Sequence, residues 1–183
     1  MTPLIIALIV IALVVLWAVG AYNGLIRLRN RASNAWAQVE VQLKRRWDLI
    51  PNLVETVKGY ARHESETLER VIAARNTAVS AKNPADQQAA DNLLTGALRQ
   101  LFAVAEAYPD LKANQNFLDL QAQLTDTENK VSVSRQIYND TVLTYNNKVE
   151  TVPSAFIARM FGFEIKPFFD APDQVDEPPT VSF

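Results

Sequence analysis

His63 and Glu64 are the residues whose types and spacing come nearest to a catalytic or metal-binding motif in this chain. A zincin helix needs a second histidine at position 67, where this sequence has threonine. Carboxylate-bridged di-iron bundles need two Glu-x-x-His units, which one histidine cannot supply. The chain also contains no cysteine, which excludes disulfides, thiolate metal sites and cysteine nucleophiles. We therefore predict no catalytic residue, no cofactor and no metal ligand.

An uninterrupted apolar stretch runs from Leu4 to Val19. At about 1.5 Å per residue, Leu4 to Tyr22 covers roughly the 30 Å hydrocarbon layer of a bilayer. A cleaved signal peptide is the alternative, because Val19 and Ala21 satisfy the small-residue rule, but no Lys or Arg precedes the stretch. We therefore predict a retained anchor over residues 1–24. The residues predicted to contact lipid are Leu4, Ile5, Leu8, Val15, Trp17 and Tyr22.

Basic residues follow the apolar stretch, which places the body of the protein in the cytoplasm by the positive-inside rule. Arg27 and Arg29 lie within about 8 to 11 Å of Tyr22 along a helix, close enough to attract anionic lipid. Lys44, Arg45 and Arg46 lie at least roughly 33 Å away, beyond the reach of lipid charge. This second cluster either pairs with carboxylates of its own helix at helical spacing or forms a candidate partner surface.

The composition outside the anchor describes one domain of about 160 residues, enough for a sizeable core. Eighteen Lys and Arg stand against twenty Asp and Glu, so the chain lacks the basic excess of a nucleic-acid-binding protein. Few glycines and little β-branched alternation argue against a sheet. We predict an all-α fold, in which one N-terminal transmembrane helix precedes a long antiparallel up-and-down four-helix bundle over residues 25–152.

Proline and asparagine mark the predicted helix ends. Asp48 and Pro51 indicate a tight turn near residues 47–51, although a kinked continuous helix is the alternative. Asn83 followed by Pro84 predicts a capped helix start, and Pro109 ends the third helix. Trp36 and Leu43, one heptad apart, are predicted to lie in the core.

A short amphipathic helix is predicted over residues 153–163, followed by an extended tail over residues 164–183 whose prolines cannot continue a helix. If the chain turns near residue 48, the parity of the bundle returns the amphipathic helix to the membrane. A continuous first helix would send it to the far end. The candidate partner or lipid-binding residues of the C-terminal region are Phe156, Met160, Phe161 and Phe183.

Several unbroken sequence blocks occur in one order along the chain. They are Tyr22-Asn23, Asn34-Ala35-Trp36-Ala37-Gln38-Val39, Val41-Gln42-Leu43-Lys44-Arg45-Arg46, Asp48-Leu49-Ile50-Pro51-Asn52-Leu53-Val54, Val57-Lys58-Gly59-Tyr60, His63-Glu64, Phe102-Ala103-Val104-Ala105-Glu106-Ala107-Tyr108-Pro109, Asp110-Leu111-Lys112-Ala113-Asn114, Thr127-Glu128-Asn129-Lys130, Tyr138-Asn139-Asp140 and Gly162-Phe163. Together they resemble the LemA family of bacterial membrane-anchored helical proteins. Trp47 departs from the family, which more often has tyrosine there.

The resemblance implies a bundle on one membrane helix in the bacterial inner membrane, and it supplies no catalytic residues. A magnetosome-membrane branch of the family implies work on membranes. Gene proximity to membrane metalloproteases implies an accessory role. We therefore predict a non-enzymatic, membrane-tethered scaffold or interaction protein in the cytoplasm, with a regulatory subunit of a membrane-bound metalloprotease as the alternative. The predicted partners are lipid and a protein, either a second copy of the chain or such a protease, but neither nucleic acid nor a small-molecule substrate.

Overall fold

Six α-helices make up the part of the chain that the computed structural model describes, residues 2–169, and no strand occurs in that range. The helices are α1 (Thr2–Tyr60), α2 (Ser65–Ser80), α3 (Pro84–Ala105), α4 (Pro109–Lys112), α5 (Gln115–Glu150) and α6 (Ser154–Met160). The all-α class and the apolar N-terminal helix are thus confirmed. The count of four helices in the bundle stays a prediction, and Phe183 lies outside the described residues.

Helix α1 continues without a break through Pro51, so the turn predicted near residues 47–51 does not form. Proline inside a helix costs about 3 kcal/mol, because its missing N–H and its ring disrupt the preceding turn. The apolar stripe of α1 nevertheless continues on both sides of Pro51. Ile50, Leu53 and Val57 are all almost fully buried, and each contributes about 1.5 to 3 kcal/mol of burial. Their burial outweighs the cost of the proline.

The chain reverses direction later, at residues 61–64 between α1 and α2. Helix α2 then packs against α3. Asn83 caps α3 as predicted: its Oδ1 accepts a hydrogen bond from the backbone N–H of Asp86 at 2.8 Å, and Pro84 is the first helical residue. Helix α3 ends at Ala105, four residues before Pro109.

The described chain divides into two compact units, and α1 and α5 each contribute to both. Unit 1 comprises residues 2–38 and 136–168, and unit 2 comprises residues 39–135 and Phe169. In unit 1 the half-buried Trp36 ring meets the Tyr138 ring edge-on at 5.2 Å. In unit 2 Leu43 is fully buried. The core of unit 1 beside the apolar stretch consists of Ala21, Leu25, Tyr145, Val149, Ile157, Ala158 and Phe163.

Several of the family-like blocks join helix ends within unit 2. The Tyr108 hydroxyl donates to Glu64 Oε1 at 3.1 Å, and the Asn114 amide donates to the Tyr60 hydroxyl at 2.9 Å. The hydrogen bond to the Glu64 carboxylate raises the pKa of Tyr108. Asn114 also caps α5 by accepting from the N–H of Phe117. These blocks therefore have a structural explanation in the turns that connect the helices.

Candidate functional site

The apolar stretch of α1 is uncovered by protein. Within the described residues, α1 is the one helix long and apolar enough to span a membrane. Leu4 is 67% exposed and Leu16 is 68% exposed, whereas Leu25 is completely buried. Of the predicted lipid-contacting residues, Ile5, Leu8, Val15 and Trp17 are also exposed, and Tyr22 is half-buried. The change from exposed to buried apolar residues therefore falls near Tyr22, where other segments of unit 1 begin to pack around the helix.

Helix α6 ends in a Schellman motif that turns the chain back onto unit 1. Gly162 has φ of +68°, the left-handed conformation that favours glycine. The N–H of Phe163 donates to the carbonyl of Ala158 at 2.9 Å, and the N–H of Gly162 donates to the carbonyl of Arg159 at 3.4 Å. Because of this turn, the buried Phe163 ring enters the unit 1 core.

Substitution Gly162→Ala is expected to destabilise unit 1 by about 1 to 2 kcal/mol, the cost of the left-handed conformation for an L-residue. No atom lies within 4 Å of the added Cβ, so the cost is conformational rather than steric. The matched control is Gly96→Ala in the interior of α3, where the added Cβ also meets no atom. That change should stabilise a helix by about 0.5 to 1 kcal/mol. Denaturant unfolding in mild detergent measures both, and equal shifts would contradict the prediction.

Three aromatic rings and one arginine meet where the buried core of unit 1 begins, beside the end of the apolar stretch. The Tyr22 ring centroid lies 4.8 Å from that of Phe161 and 5.7 Å from that of Phe163. The Arg29 guanidinium lies over the Phe163 ring at 5.5 Å, a cation–π contact. Arg27 is exposed. The contacts place the end of α6 beside Tyr22, three residues after the end of the apolar stretch.

Helix α6 is amphipathic, and only some of its apolar residues are buried. Ile157 and Ala158 point into the unit 1 core and fix the helix, whereas Phe156 is 64% exposed and Met160 is 74% exposed. Phe161 keeps 56% of its surface exposed despite its contact with Tyr22. Phe156 and Met160, which are four residues apart in this short helix, therefore form an apolar surface outside the core.

The extended segment that follows, residues 164–168, is fastened to α5 by three side chains. The hydroxyls of Tyr145 and Tyr138 donate to the carbonyls of Glu164 and Pro167 at 2.8 and 2.9 Å. Asn146 donates to the carbonyl of Lys166 and accepts from its N–H, both at 2.9 Å. We call residues 164–168 the strap. It runs beside α5 within unit 1, and four of its backbone groups are bonded to side chains rather than to a helix or sheet.

Burial raises the pKa of Tyr138 and Tyr145, the two tyrosines of α5 that donate to the strap. For Tyr138 the cause is desolvation. For Tyr145 desolvation is the largest cause, the Arg29 charge acts against it, and the Glu164 carboxylate adds to it. Both hydroxyls therefore stay protonated and remain donors at neutral pH.

The basic cluster of residues 44–46 separates into two environments in unit 2. Lys44 and Arg45 are exposed, and Lys44 pairs with Asp48 at 3.3 Å. Arg46, predicted as part of the same candidate partner surface, is only 2% exposed and cannot belong to a surface. It lies on the buried stripe, three residues after Leu43.

The Arg46 guanidinium joins three helices within unit 2. It contacts Asp91 Oδ1 at 2.6 Å and Thr95 Oγ1 at 2.9 Å on α3, and Glu128 Oε2 at 2.6 Å on α5. Arg135 of α5 approaches the second oxygen of Asp91 at 3.9 Å and stacks on the Phe169 ring at 4.5 Å. Asp91 is almost fully buried, whereas Glu128 is half-exposed.

A cavity of about 290 Å³ lies beside this network, with Leu98, Phe102 and Leu124 forming part of its apolar wall. The guanidinium of Arg46 already contacts two carboxylates there. His63 is exposed in the turn between α1 and α2. Across residues 2–169 no group of three or more His, Asp or Glu side chains is placed to hold a metal ion.

An extended tail after residue 163 was predicted, but the three side chains of α5 that hold the strap were not. Tyr138, Tyr145 and Asn146 lie seven and eight residues apart along α5, a spacing that puts them on one face of that helix. One feature of the sequence could have indicated them: the segment after Gly162 contains proline and cannot form a helix. Its backbone N–H and carbonyl groups therefore need hydrogen-bond partners elsewhere.

Comparison with known sequences supports the resemblance noted above. The sequence profile of the LemA family matches residues 35–183. Protein LemA of Metamycoplasma hominis is 28% identical over 137 residues, which cover 73% of this chain and 61% of the relative. Magnetosome protein MamQ of Magnetospirillum gryphiswaldense is 24% identical over 183 aligned positions, covering 86% of this chain and 67% of the relative. Magnetosome protein MamQ 2 of Paramagnetospirillum magneticum is 23% identical with the same coverage. The chain thus spans about three fifths of the length of the LemA relative.

Proposed function

The chain belongs to the LemA family, and on that premise we propose that it is a non-enzymatic, membrane-tethered scaffold. The anchor holds the two helical units at the cytoplasmic face of a bacterial inner membrane. There the units bind a protein partner or further copies of the chain.

One observation carries this proposal: a single helix contains both the uncovered apolar stretch and a buried stripe of the folded units. The large apolar residues between Leu4 and Val19 are 43 to 68% exposed. Their contact with water is unfavourable, and a bilayer around the helix removes it. Beyond Tyr22 the same helix buries Leu25, Ala32 and Val39. The anchor therefore continues directly into the folded part of the chain.

The surrounding residues support binding rather than chemistry. The buried ionic contacts of Arg46 join helices, and the buried polar contacts of Asn146 hold the strap. Lys44 and Arg45 remain available to an acidic partner surface, because they are exposed on α1. Their contribution is electrostatic, so binding through them weakens as salt is raised.

The orientation of the chain in the membrane can be tested by cysteine labelling. The chain has no cysteine, so single cysteines can be introduced and labelled without interference. Ser33→Cys is conservative, and Ser33 is exposed eleven residues after Tyr22. A membrane-impermeant maleimide should label it in inverted vesicles but not in intact spheroplasts, because Arg27 and Arg29 favour the cytoplasmic side. Labelling in spheroplasts alone would overturn the cytoplasmic orientation.

Partner binding is tested with the full chain in its membrane. A photo-crosslinking residue at Arg45 is compared with one at Glu69, an exposed residue of α2. We expect an Arg45-dependent adduct that weakens at high salt. An adduct of twice the chain mass identifies self-association, and an adduct with a membrane metalloprotease supports the alternative of a protease subunit. Equal labelling from both positions would contradict a partner surface at Lys44 and Arg45.

A further inference from the structure

We propose that an exposed apolar face, formed by Phe156 and Met160 of α6 and by Phe161 directly after it, inserts into the anionic headgroup region of the same bilayer that holds the anchor. This gives the protein a second membrane contact. The inference rests on the proposed anchoring of α1 and extends it to a second element.

Position supports a lipid occupant for this face. The Phe161 ring contacts Tyr22 at 4.8 Å, and Tyr22 lies only three residues, about 4.5 Å of helix, beyond the last residue of the apolar stretch. Met160 immediately precedes Phe161, and Phe156 lies one helical turn before Met160. When the stretch from Leu4 to Val19 occupies the hydrocarbon layer, the end of α6 therefore lies at the level where that layer meets the headgroups.

The rigidity of α6 supports the same conclusion. Ile157 and Ala158 are buried in the unit 1 core, and the Schellman turn at Gly162 fixes the C-terminal end of the helix. The helix cannot rotate its apolar side inward without removing these residues from the core. Phe156 and Met160 therefore stay exposed within the folded unit, and a neighbouring apolar phase is what can cover them.

Charge favours an anionic lipid surface over a neutral one. The two segments of unit 1 that contain Tyr22 and α6 have a basic excess, although the whole chain has a formal net charge of −2. Segments 20–31 and 148–168 contain six Lys and Arg but only two Glu. The basic residues are Arg27, Arg29, Arg31, Lys148, Arg159 and Lys166. Basic side chains beside an apolar face are typical of helices that lie in the plane of a bacterial membrane surface.

Depth measurement on the full chain tests the proposal. Met160→Cys carries an environment-sensitive dye in liposomes of phosphatidylcholine and phosphatidylglycerol, with nitroxide quenchers at the headgroup or in the acyl chain. Val15→Cys reports the hydrocarbon layer, and Ser33→Cys, about 16 Å of helix beyond Tyr22, reports water. We expect the Met160 label to show blue-shifted emission and preferential quenching by the headgroup nitroxide.

A second substitution separates insertion from mere proximity. Phe156→Gln should reduce the quenching of the Met160 label, whereas Leu143→Gln, an exposed apolar residue of α5 in the same unit, should not. Both substituted residues are exposed, so unchanged circular dichroism is expected. Replacing phosphatidylglycerol by phosphatidylcholine should also reduce the quenching.

The outcomes distinguish this proposal from the anchoring on which it rests. A Met160 label that behaves like the Ser33 label while the Val15 label is quenched overturns the second contact alone. Blue-shifted emission without quenching means that protein rather than lipid covers the face, which also overturns it. An unquenched Val15 label overturns the membrane anchor itself.

Discussion

Substitution Arg46→Met is expected to destabilise the protein by about 3 to 5 kcal/mol, because it leaves Asp91 buried without its closest counter-charge. The Arg46 and Asp91 side chains are 2% and 4% exposed, and their atoms lie 2.6 Å apart. Arg135 is 3.9 Å from the other oxygen of Asp91 and cannot replace both contacts. Glu128 is half-exposed and can return to water, so most of the cost arises at Asp91.

The adjacent Arg45 provides the control for this prediction. It is exposed on the same helix, so Arg45→Met makes the same chemical change without uncovering a buried carboxylate. We expect a free-energy change within about 0.5 kcal/mol for that variant. The double variant Arg46→Met with Asp91→Leu should recover much of the loss, because apolar pairs can replace buried ion pairs.

Denaturant unfolding in mild detergent measures these differences. Two results would count against the buried ion pair: similar midpoints for Arg46→Met and Arg45→Met, or additive losses in the double variant. If stability is unchanged for all three variants, Arg46 is exposed in solution. It would then belong, as first predicted, to the candidate partner surface with Lys44 and Arg45.

The sequence contains a pattern that indicates the burial of Arg46, but the basic residues next to it favour a different interpretation. Leu43, Arg46 and Ile50 recur at spacings of three and four, which places the arginine on the apolar stripe of α1. The run of three basic residues instead suggested a single exposed cluster. Its counter-charge is 45 residues away in sequence, at Asp91. No local pattern relates two positions so far apart, so the pairing could not be predicted from the sequence.

Features that depend on a few adjacent residues were predicted better. Asn83 and Pro84 fix the start of α3, because a side-chain cap and a proline act within one turn. Pro51 was ambiguous, since the same residue fits a helix start or a kinked interior. The distant core contacts of Ile50, Leu53 and Val57 decided the outcome. The residues around Pro51 fit both a turn and a continuous helix, and only the packing of the helix against the core selects the helix.

Neither of the two predicted alternatives holds as stated, because α1 continues through Pro51 and yet the end of α6 lies beside Tyr22. A membrane-proximal α6 was predicted only for a chain reversal near residues 47–51. The structure has that reversal at residues 61–64, so the number of reversals before α5 is unchanged. The contact of Phe161 with Tyr22 is therefore compatible with a reversal at either position.

The second large effect is expected at the strap, where Asn146→Ala should weaken its attachment to α5 by about 1 to 3 kcal/mol. The substitution leaves the N–H and the carbonyl of Lys166 without their shared partner. Lys166 is half-buried, so water can form hydrogen bonds with its N–H and carbonyl groups once the strap moves. The two tyrosine hydrogen bonds remain, which confines the change to the middle of the strap.

Asn147→Ala is the matched control, because Asn147 is exposed at the next position of α5. Both changes replace asparagine by alanine inside a helix and so gain the same helix propensity. Only Asn146→Ala removes a contact with the strap. Amide hydrogen exchange at Lys166 should therefore accelerate about tenfold for each 1.4 kcal/mol lost in Asn146→Ala, and it should stay unchanged in Asn147→Ala. Equal exchange in the two variants would mean that Tyr138 and Tyr145 hold the strap without Asn146.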